Sequence, residues 1–374
     1  MPVYSYQFDV SGYADIRIAR IAIASYDLPL TRPWSSARGT LTRRRGWLLR
    51  LQSSDGVLGV GECAPLPGAG TEPFDDAATT LRTLLPGIAG QRADDVLEKL
   101  QGIARSPAAR CAMETALVDL AATVAGCSVA KQLNPQAVES VPVNAMIGPL
   151  DSEVGIRAQR AVTEGYRVLK LKLGVVSPET EARALHELAH ELPPEVSLRL
   201  DANRAWGEDT ARAMIETLSG LPVEGLEEPL KDGGSKALHR LQAIAPWPLA
   251  IDESLAHSPL AELFSDPPVR RFVLKPMVVG GPMSALKIAA RARSAGIEVI
   301  VTTTVDTAVG TLAALHTAAA LAGNSTHGLA TSSWLAEDVA EPPVIERGQI
   351  VVAPRPGLGV IPLESINFED VSDV

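Results

Sequence analysis

Val168-Leu169-Lys170-Leu171-Lys172-Leu173 puts three leucines on one parity and both lysines on the other. Leu198-Arg199-Leu200-Asp201-Ala202-Asn203 repeats the device, with leucines on one face and Arg199, Asp201 and Asn203 on the opposite one. Strand side chains alternate between faces, so each stretch predicts a strand with an apolar side and a charged side. Six further apolar runs surround this pair, at 141–147, 225–229, 249–252, 272–276, 299–303 and, weakly, 327–331. Centres at Ala145, Leu171, Leu200, Glu227, Ile251, Leu274, Val301 and Leu329 lie 26, 29, 27, 24, 23, 27 and 28 residues apart. A strand, a helix and two short loops need about that many residues. Eight such units predict a closed barrel rather than an open sheet, which would normally carry a phosphate-binding glycine loop after an early strand.

Outside the array, the first part predicts a strand over 17–29 and a hairpin of 47–52 with 57–62 around Ser53-Ser54-Asp55-Gly56. Helical patterns follow from 74 to about 126, and within them 111–124 has the Ala/Leu spacing of a helix buried around most of its circumference. The tail contains the turn Glu346-Arg347-Gly348-Gln349 and is too apolar to hang loose. The expected organisation is an α+β capping domain over 1–137, a (β/α)7β-type TIM barrel over 138–336, and a segment over 337–374 that returns to complete the cap.

In 374 residues, 46% hydrophobic and 21% charged, there is material for one large domain and a smaller one. A net charge of −10 repels phosphate backbones and anionic membrane surfaces, and Arg43-Arg44-Arg45 is an isolated basic run. Nucleic acid and membrane are therefore not expected partners. The polar start, 1–17, has no leader pattern, and the most apolar stretch, 309–322, is short, is interrupted by His316 and predicts a packed helix. Cys63, Cys111 and Cys127 fit neither a disulfide framework nor a zinc knuckle, which points to a reducing cytoplasm.

The charged parity carries the chemistry. Glu227 follows Leu226, Asp252 follows Ile251 and Lys275 follows Leu274, so five successive strands bring Lys-Lys, Asp, Glu, Asp and Lys to one end of the barrel interior. Barrel enzymes keep their sites at that end. Three converging carboxylates would repel and protonate without a counter-ion. An all-oxygen set lacking Cys and His favours Mg²⁺, with Mn²⁺ as a substitute, over zinc. A metal held against a substrate carboxylate stabilises the enediolate left when the adjacent carbon loses a proton. Lys172, beside Lys170 and close to a cation, should have a lowered pKa suited to a general base. Any one of these charges could be an ordinary ion pair; five with matched parity argue for a site.

Lys-Leu-Lys (170–172), Asp-Ala-Asn-Arg-Ala-Trp (201–206), Glu-Glu-Pro (227–229), Asp-Glu-Ser (252–254) and Leu-Lys-Pro (274–276), in this order, resemble the muconate-lactonizing subgroup of the enolase superfamily. The resemblance covers nearly the whole chain, including an N-terminal cap that shapes specificity. It implies Asp201, Glu227 and Asp252 as Mg²⁺ ligands and Lys172 and Lys275 on opposite faces of a small carboxylate substrate. Lys170, Asn203, Thr303 and Thr304 would be substrate contacts, and assembly into a homo-oligomer stays open. Three stretches, 59–68, 327–338 and 356–359, resemble the o-succinylbenzoate synthases within that subgroup. These dehydrate 2-succinyl-6-hydroxy-2,4-cyclohexadiene-1-carboxylate on the way to menaquinone or phylloquinone. Lys172 would then act as the acid/base and Lys275 as a stabilising cation. Two departures concern substrate contacts, namely Ala69-Gly70-Thr71 where an aromatic and a Ser are expected, and Thr302-Thr303-Thr304 where Ser-rich versions are common.

The nearest alternative is an N-acylamino acid racemase or dipeptide epimerase using both lysines as opposed acid and base. Dipeptide epimerases of the subgroup carry paired aspartates at the last strand, where this chain has Leu329-Ala330-Thr331-Ser332. A non-catalytic barrel is a more distant alternative, opposed by the retention of all five charged positions. His186-Glu187-Leu188-Ala189-His190 imitates a zinc signature, but its helix belongs on the barrel's outside with no third ligand in view. Gly59-x-Gly61-x-x-Ala64 imitates a dinucleotide loop, yet Pro65 and Pro67 forbid the helix that should follow. His239, His257 and His316 are isolated and need only ordinary surface or core roles.

Overall fold

The computed structural model describes residues 11–36, 39–232 and 234–372, so most of the start read above for the lack of a leader lies outside the described residues. Strands Ile18–Ser36, Gly39–Ser53 and Leu58–Cys63 form an antiparallel meander. Helices Phe74–Leu84, Ala93–Leu100 and Pro107–Val124 follow. Ile21, Leu49 and Leu51 of the sheet share a core with Leu81, Val96, Ala112 and Leu117 of the helices. The glycines that imitate a dinucleotide loop have a packing role. A Cβ on Gly61 would stand 1.9 Å from the Ala112 carbonyl oxygen, and one on Gly59 2.3 Å from that of Ala116. Only bare backbone lets the long helix lie this close to the strand.

The barrel strands are Ala145–Pro149, Val168–Lys172, Ser197–Asp201, Val223–Glu227, Leu249–Ile251, Arg271–Leu274 and Glu298–Val301, parallel and in chain order. Helices follow each of them, among them Pro178–Glu191, Pro282–Ser294 and Ala308–Ala320. Leu169, Leu171, Leu198, Leu200, Leu226 and Leu274 point outward and are fully buried with Leu185, Ile215 and Leu241 of the helices. Each such burial contributes about 1.5–3 kcal/mol relative to exposure. Parity thus sends the opposite set, Lys170, Lys172, Asp201 and Glu227, into the ring.

Two sequence expectations need correction. The eighth run is no strand of its own, because only His327 and Gly328 pair, to Val143 and Thr302. These bridges still close the ring, helped by the Val301 amide, which donates to His327 Nδ1 at 2.9 Å. The run at 141–147 divides, since Ser140–Pro142 leaves the barrel to pair with Gln349–Val351 of the tail. Farther along the tail, Glu369–Asp370 adds an edge strand beside Ala22 and Ile23 of the cap. Cap and barrel are also joined through a buried carboxylate. Glu114 accepts from the Met283 and Ser284 amides, at 2.8 and 3.1 Å, at the start of Pro282–Ser294. That is where a helix offers unpaired N–H groups and favours negative charge. Among the described residues no helix is long and apolar enough to cross a membrane.

His327 yields a pH prediction. Burial, with Arg199 and Arg293 nearby, holds its pKa down to about 3 from the usual 6.5. The folded ring stays neutral while the unfolded one gains a proton below about pH 6.5, so stability is lost as pH falls from there towards 3. His327→Asn keeps an acceptor for Val301 without titrating. It should be less stable at pH 7.5, with the gap to wild type narrowing below pH 6.5 by up to about 1.4 kcal/mol per pH unit in urea melts. A constant gap would contradict the assignment.

Candidate active site

Lys172, Asp201 and Glu227 end three adjacent strands in direct register, Lys172 opposite Asp201 and Asp201 opposite Glu227. Asp252 follows the fifth strand and Lys275 the sixth. The side chains meet in a ring of opposite charges. The Lys170 ammonium lies 3.0 Å from Asp201 Oδ2 and also donates to Glu227. The Lys275 ammonium is 2.7 Å from Asp252. Asn203 turns back onto Asp201 Oδ1, donating from its amide at 3.0 Å and its side chain at 2.8 Å.

Burial works against every charge here, and the neighbours decide which charges persist. At Lys170 burial is outweighed by Asp201, Glu227 and Asp252, and its pKa is raised. Lys275 is likewise raised, because Asp252 and Glu253 overcome burial. Lys172 goes the other way, lowered by burial with help from Lys170 and Lys275 against the pull of Asp201. Burial lifts Glu227, with Asp201 adding repulsion, and lifts Asp252 to about 6, whereas Lys170 more than offsets burial at Asp201 and lowers it. Of the two ring lysines named as the acid/base pair, one is thus poised to lose its proton and the other to keep it.

Among the described residues, no three His, Cys, Asp or Glu side chains are spaced as a ready ligand set, since the lysines stand between the carboxylates. The donor chemistry nevertheless suits a divalent cation. Asp201 and Glu227 are buried and Asp252 nearly so; the three offer only oxygen donors, repel one another, and each already draws an ammonium. These three would hold Mg²⁺.

Several residues near the site escaped sequence reading. Glu228, of the other parity, accepts from the Asp252 and Ser254 amides at 2.7 and 2.8 Å and so shapes the loop carrying Asp252. Glu253 adds a buried carboxylate with one oxygen unpartnered among the described residues. The acidic runs Glu227-Glu228 and Asp252-Glu253 were a visible signal for both. Of the two threonines expected to touch substrate, Thr303 shares a hydrogen bond with Thr331 at 2.7 Å. The Thr304 hydroxyl donates to Asp306 and accepts from Arg44. Asn203, Arg204, Glu228 and Val305 have φ of 45°, 62°, 42° and 61°, strained values gathered just beyond strand ends. The zinc imitation dissolves, because His186 and His190 are exposed on Pro178–Glu191, outside the barrel.

Fold and site together define a capped barrel enzyme with paired lysines over strand-end carboxylates. Residues 153–366 match the enolase C-terminal domain-like family, and 19–133 match the mandelate racemase / muconate lactonizing enzyme N-terminal domain. The chain therefore belongs to the enolase superfamily, in its muconate-lactonizing subgroup. It is similar to the L-Lys-D/L-Arg epimerase of Methylococcus capsulatus, 29% identical, covering 92% of this chain and 99% of that protein. It is 31% identical to the chloromuconate cycloisomerase of Cupriavidus pinatubonensis, covering 80% and 84%. The muconate lactonizing enzyme of Pseudomonas fluorescens, solved with muconolactone, superposes with a TM-score of 0.82 at 28% identity, covering 93% of this chain and 97% of that one. Members of the superfamily use Mg²⁺.

The double substitution His186→Ala/His190→Ala should leave turnover within about twofold of wild type, as expected of surface changes away from the site. Loss of activity in the folded double variant would restore the zinc reading.

Proposed function

We propose that this enzyme is a Mg²⁺-dependent racemase or epimerase that moves the α-proton of an N-acylated amino acid, dipeptides included, in the cytoplasm. The observation that carries the reading is the placement of Lys172 on the second strand and Lys275 at the end of the sixth. In an eight-membered ring these positions are opposite, so a substrate lying over the carboxylates meets one amine on each face. The full-length similarity to an epimerase supports the same reading.

Asp201, Glu227 and Asp252 would hold the ion, which supplies neutralisation of charge on the substrate carboxylate. Lys172, with its lowered pKa, takes the α-proton from one face as a neutral amine. Lys275, kept charged by Asp252 and Glu253, returns a proton to the other face, so configuration inverts and the lysines exchange protonation states. Proton exchange of both amines with solvent then restores the starting state. Lys170 stays protonated between Asp201 and Glu227 and holds those carboxylates in place. At 329–332 no carboxylate awaits a free ammonium, which ranks simple N-acyl caps ahead of dipeptides within this class. A second reading, dehydration to o-succinylbenzoate in quinone biosynthesis, draws support from the stretches at 59–68 and 356–359 and from the unequal lysines.

The deciding experiment offers N-acylamino acids, dipeptides and the cyclohexadiene acid to the Mg²⁺-loaded protein in heavy water. Wild type should exchange the α-proton of both enantiomers of one N-acylamino acid and interconvert them. Lys172→Ala and Lys275→Ala should each lose racemization by at least about 10²–10⁴-fold yet exchange one enantiomer, a different one in each variant. Aromatization of the cyclohexadiene acid with no exchange on any amino acid derivative would replace this reading with the synthase.

A further inference from the structure

Arg44 is 1% exposed, far from the lysines in sequence, and takes no part in the chemistry above. Its guanidinium nevertheless binds both walls of the site. On the cap it donates to the Ala64 and Pro65 carbonyls at 2.6 and 2.9 Å. From there the loop runs to Gly70 and Thr71, which line a cavity of about 400 Å³ together with Asp252 and Lys275. On the barrel Nε donates to the Thr304 and Val305 carbonyls at 3.2 and 3.0 Å, and Asp306 lies 3.8 Å from the same guanidinium.

Val305 is the point of strain. Its φ of 61° is a left-handed conformation that a β-branched residue adopts only when its surroundings force it. The surroundings here are Arg44 on two carbonyls, Asp306 accepting from the Thr304 amide at 3.3 Å, and Glu62 of the cap accepting from the Thr307 and Gly310 amides at 3.2 and 2.7 Å. Glu62 also takes the Tyr26 hydroxyl. A Cβ on Gly310 would stand 2.4 Å from Glu62, so the sequence leaves room for this carboxylate at the helix start. Thr303, tied to Thr331, lies at the near end of the same turn.

We propose that Arg44 is a positioning residue: it locks the strained 304–306 turn of the barrel to the 64–71 loop of the cap, and so sets the substrate-facing register of the two domains. The planar five-donor fork is what lets one side chain serve four carbonyls, and a lysine lacks it. The lock deepens the reading of the site given above and rests on it for its link to turnover, but its geometry is testable without any substrate.

Arg44→Lys keeps a buried positive charge beside Asp306 and discards the fork. With the substrate that wild type turns over, we expect KM to rise at least tenfold with a smaller change in kcat, while Mg²⁺ affinity by calorimetry stays within twofold. Adding Val305→Gly, which takes φ near 60° without strain, should recover a large part of the loss; a residue that merely supports folding predicts no such rescue. Wild-type KM in folded Arg44→Lys, or a loss that Val305→Gly deepens, overturns the lock. Hydrogen exchange on the wild-type protein covers both a variant that fails to fold and a site with a different substrate. The Thr304 and Thr307 amides should be protected like those of the barrel strands, and exchange as fast as exposed loops overturns the proposal by itself.

Discussion

Like charges buried at one end of a barrel must be balanced, and the mouth of this barrel is organised by that requirement. Asp201, Glu227 and Asp252 stand at or just beyond the ends of adjacent strands, the first two buried and the third nearly so. Lys170 bridges the first two and Lys275 meets the third. Removing one partner of such a pair costs about 3–5 kcal/mol, because the remaining charge stays buried and unpaired. Lys172 lies in the same field with less compensation, so it is the lysine whose charge is cheapest to lose. Acid/base asymmetry thus follows from where each ammonium stands relative to three carboxylates.

Holding those side chains in place consumes the surrounding polar groups. Glu228 fixes the Asp252 loop, Asn203 caps Asp201, and both take left-handed backbone to do it. The cap is attached by the same physics at longer range. Glu114 and Glu62 each enter the barrel layer at the start of a helix, where unpaired amides donate to a carboxylate. Burial raises Glu62 to about 7, with Asp306 adding repulsion, so the joint between the domains is itself a crowded charge cluster relieved by Arg44.

What the sequence revealed depends on whether a feature is local. Alternation in 168–173 and 198–203 separated outward leucines from inward charges, and the structure keeps that division at both strands. Spacing predicted the barrel, and it forms with the expected helices. The eighth strand misled because His327 and Gly328 are held by two neighbouring strands and need little length of their own. Splitting of the run at 141–147 depends on a tail strand some two hundred residues away, which no local period reports. Arg44 stands in an isolated basic run, yet its neighbours Arg43 and Arg45 face solvent and it faces inward. Strand parity distinguishes the three; the carbonyls that receive Arg44 belong to distant loops and have no signature in the sequence.

A Mg²⁺ ion held by Asp201, Glu227 and Asp252 would connect this charge arrangement to catalysis, and its binding can be observed directly. A crystal structure of the protein grown with Mg²⁺ should place one ion about 2.0–2.1 Å from oxygens of Asp201, Glu227 and Asp252, with the Lys172 and Lys275 amines facing each other across the space above it. An ion bound elsewhere, or one that leaves all three carboxylates paired only with lysines, would contradict the account.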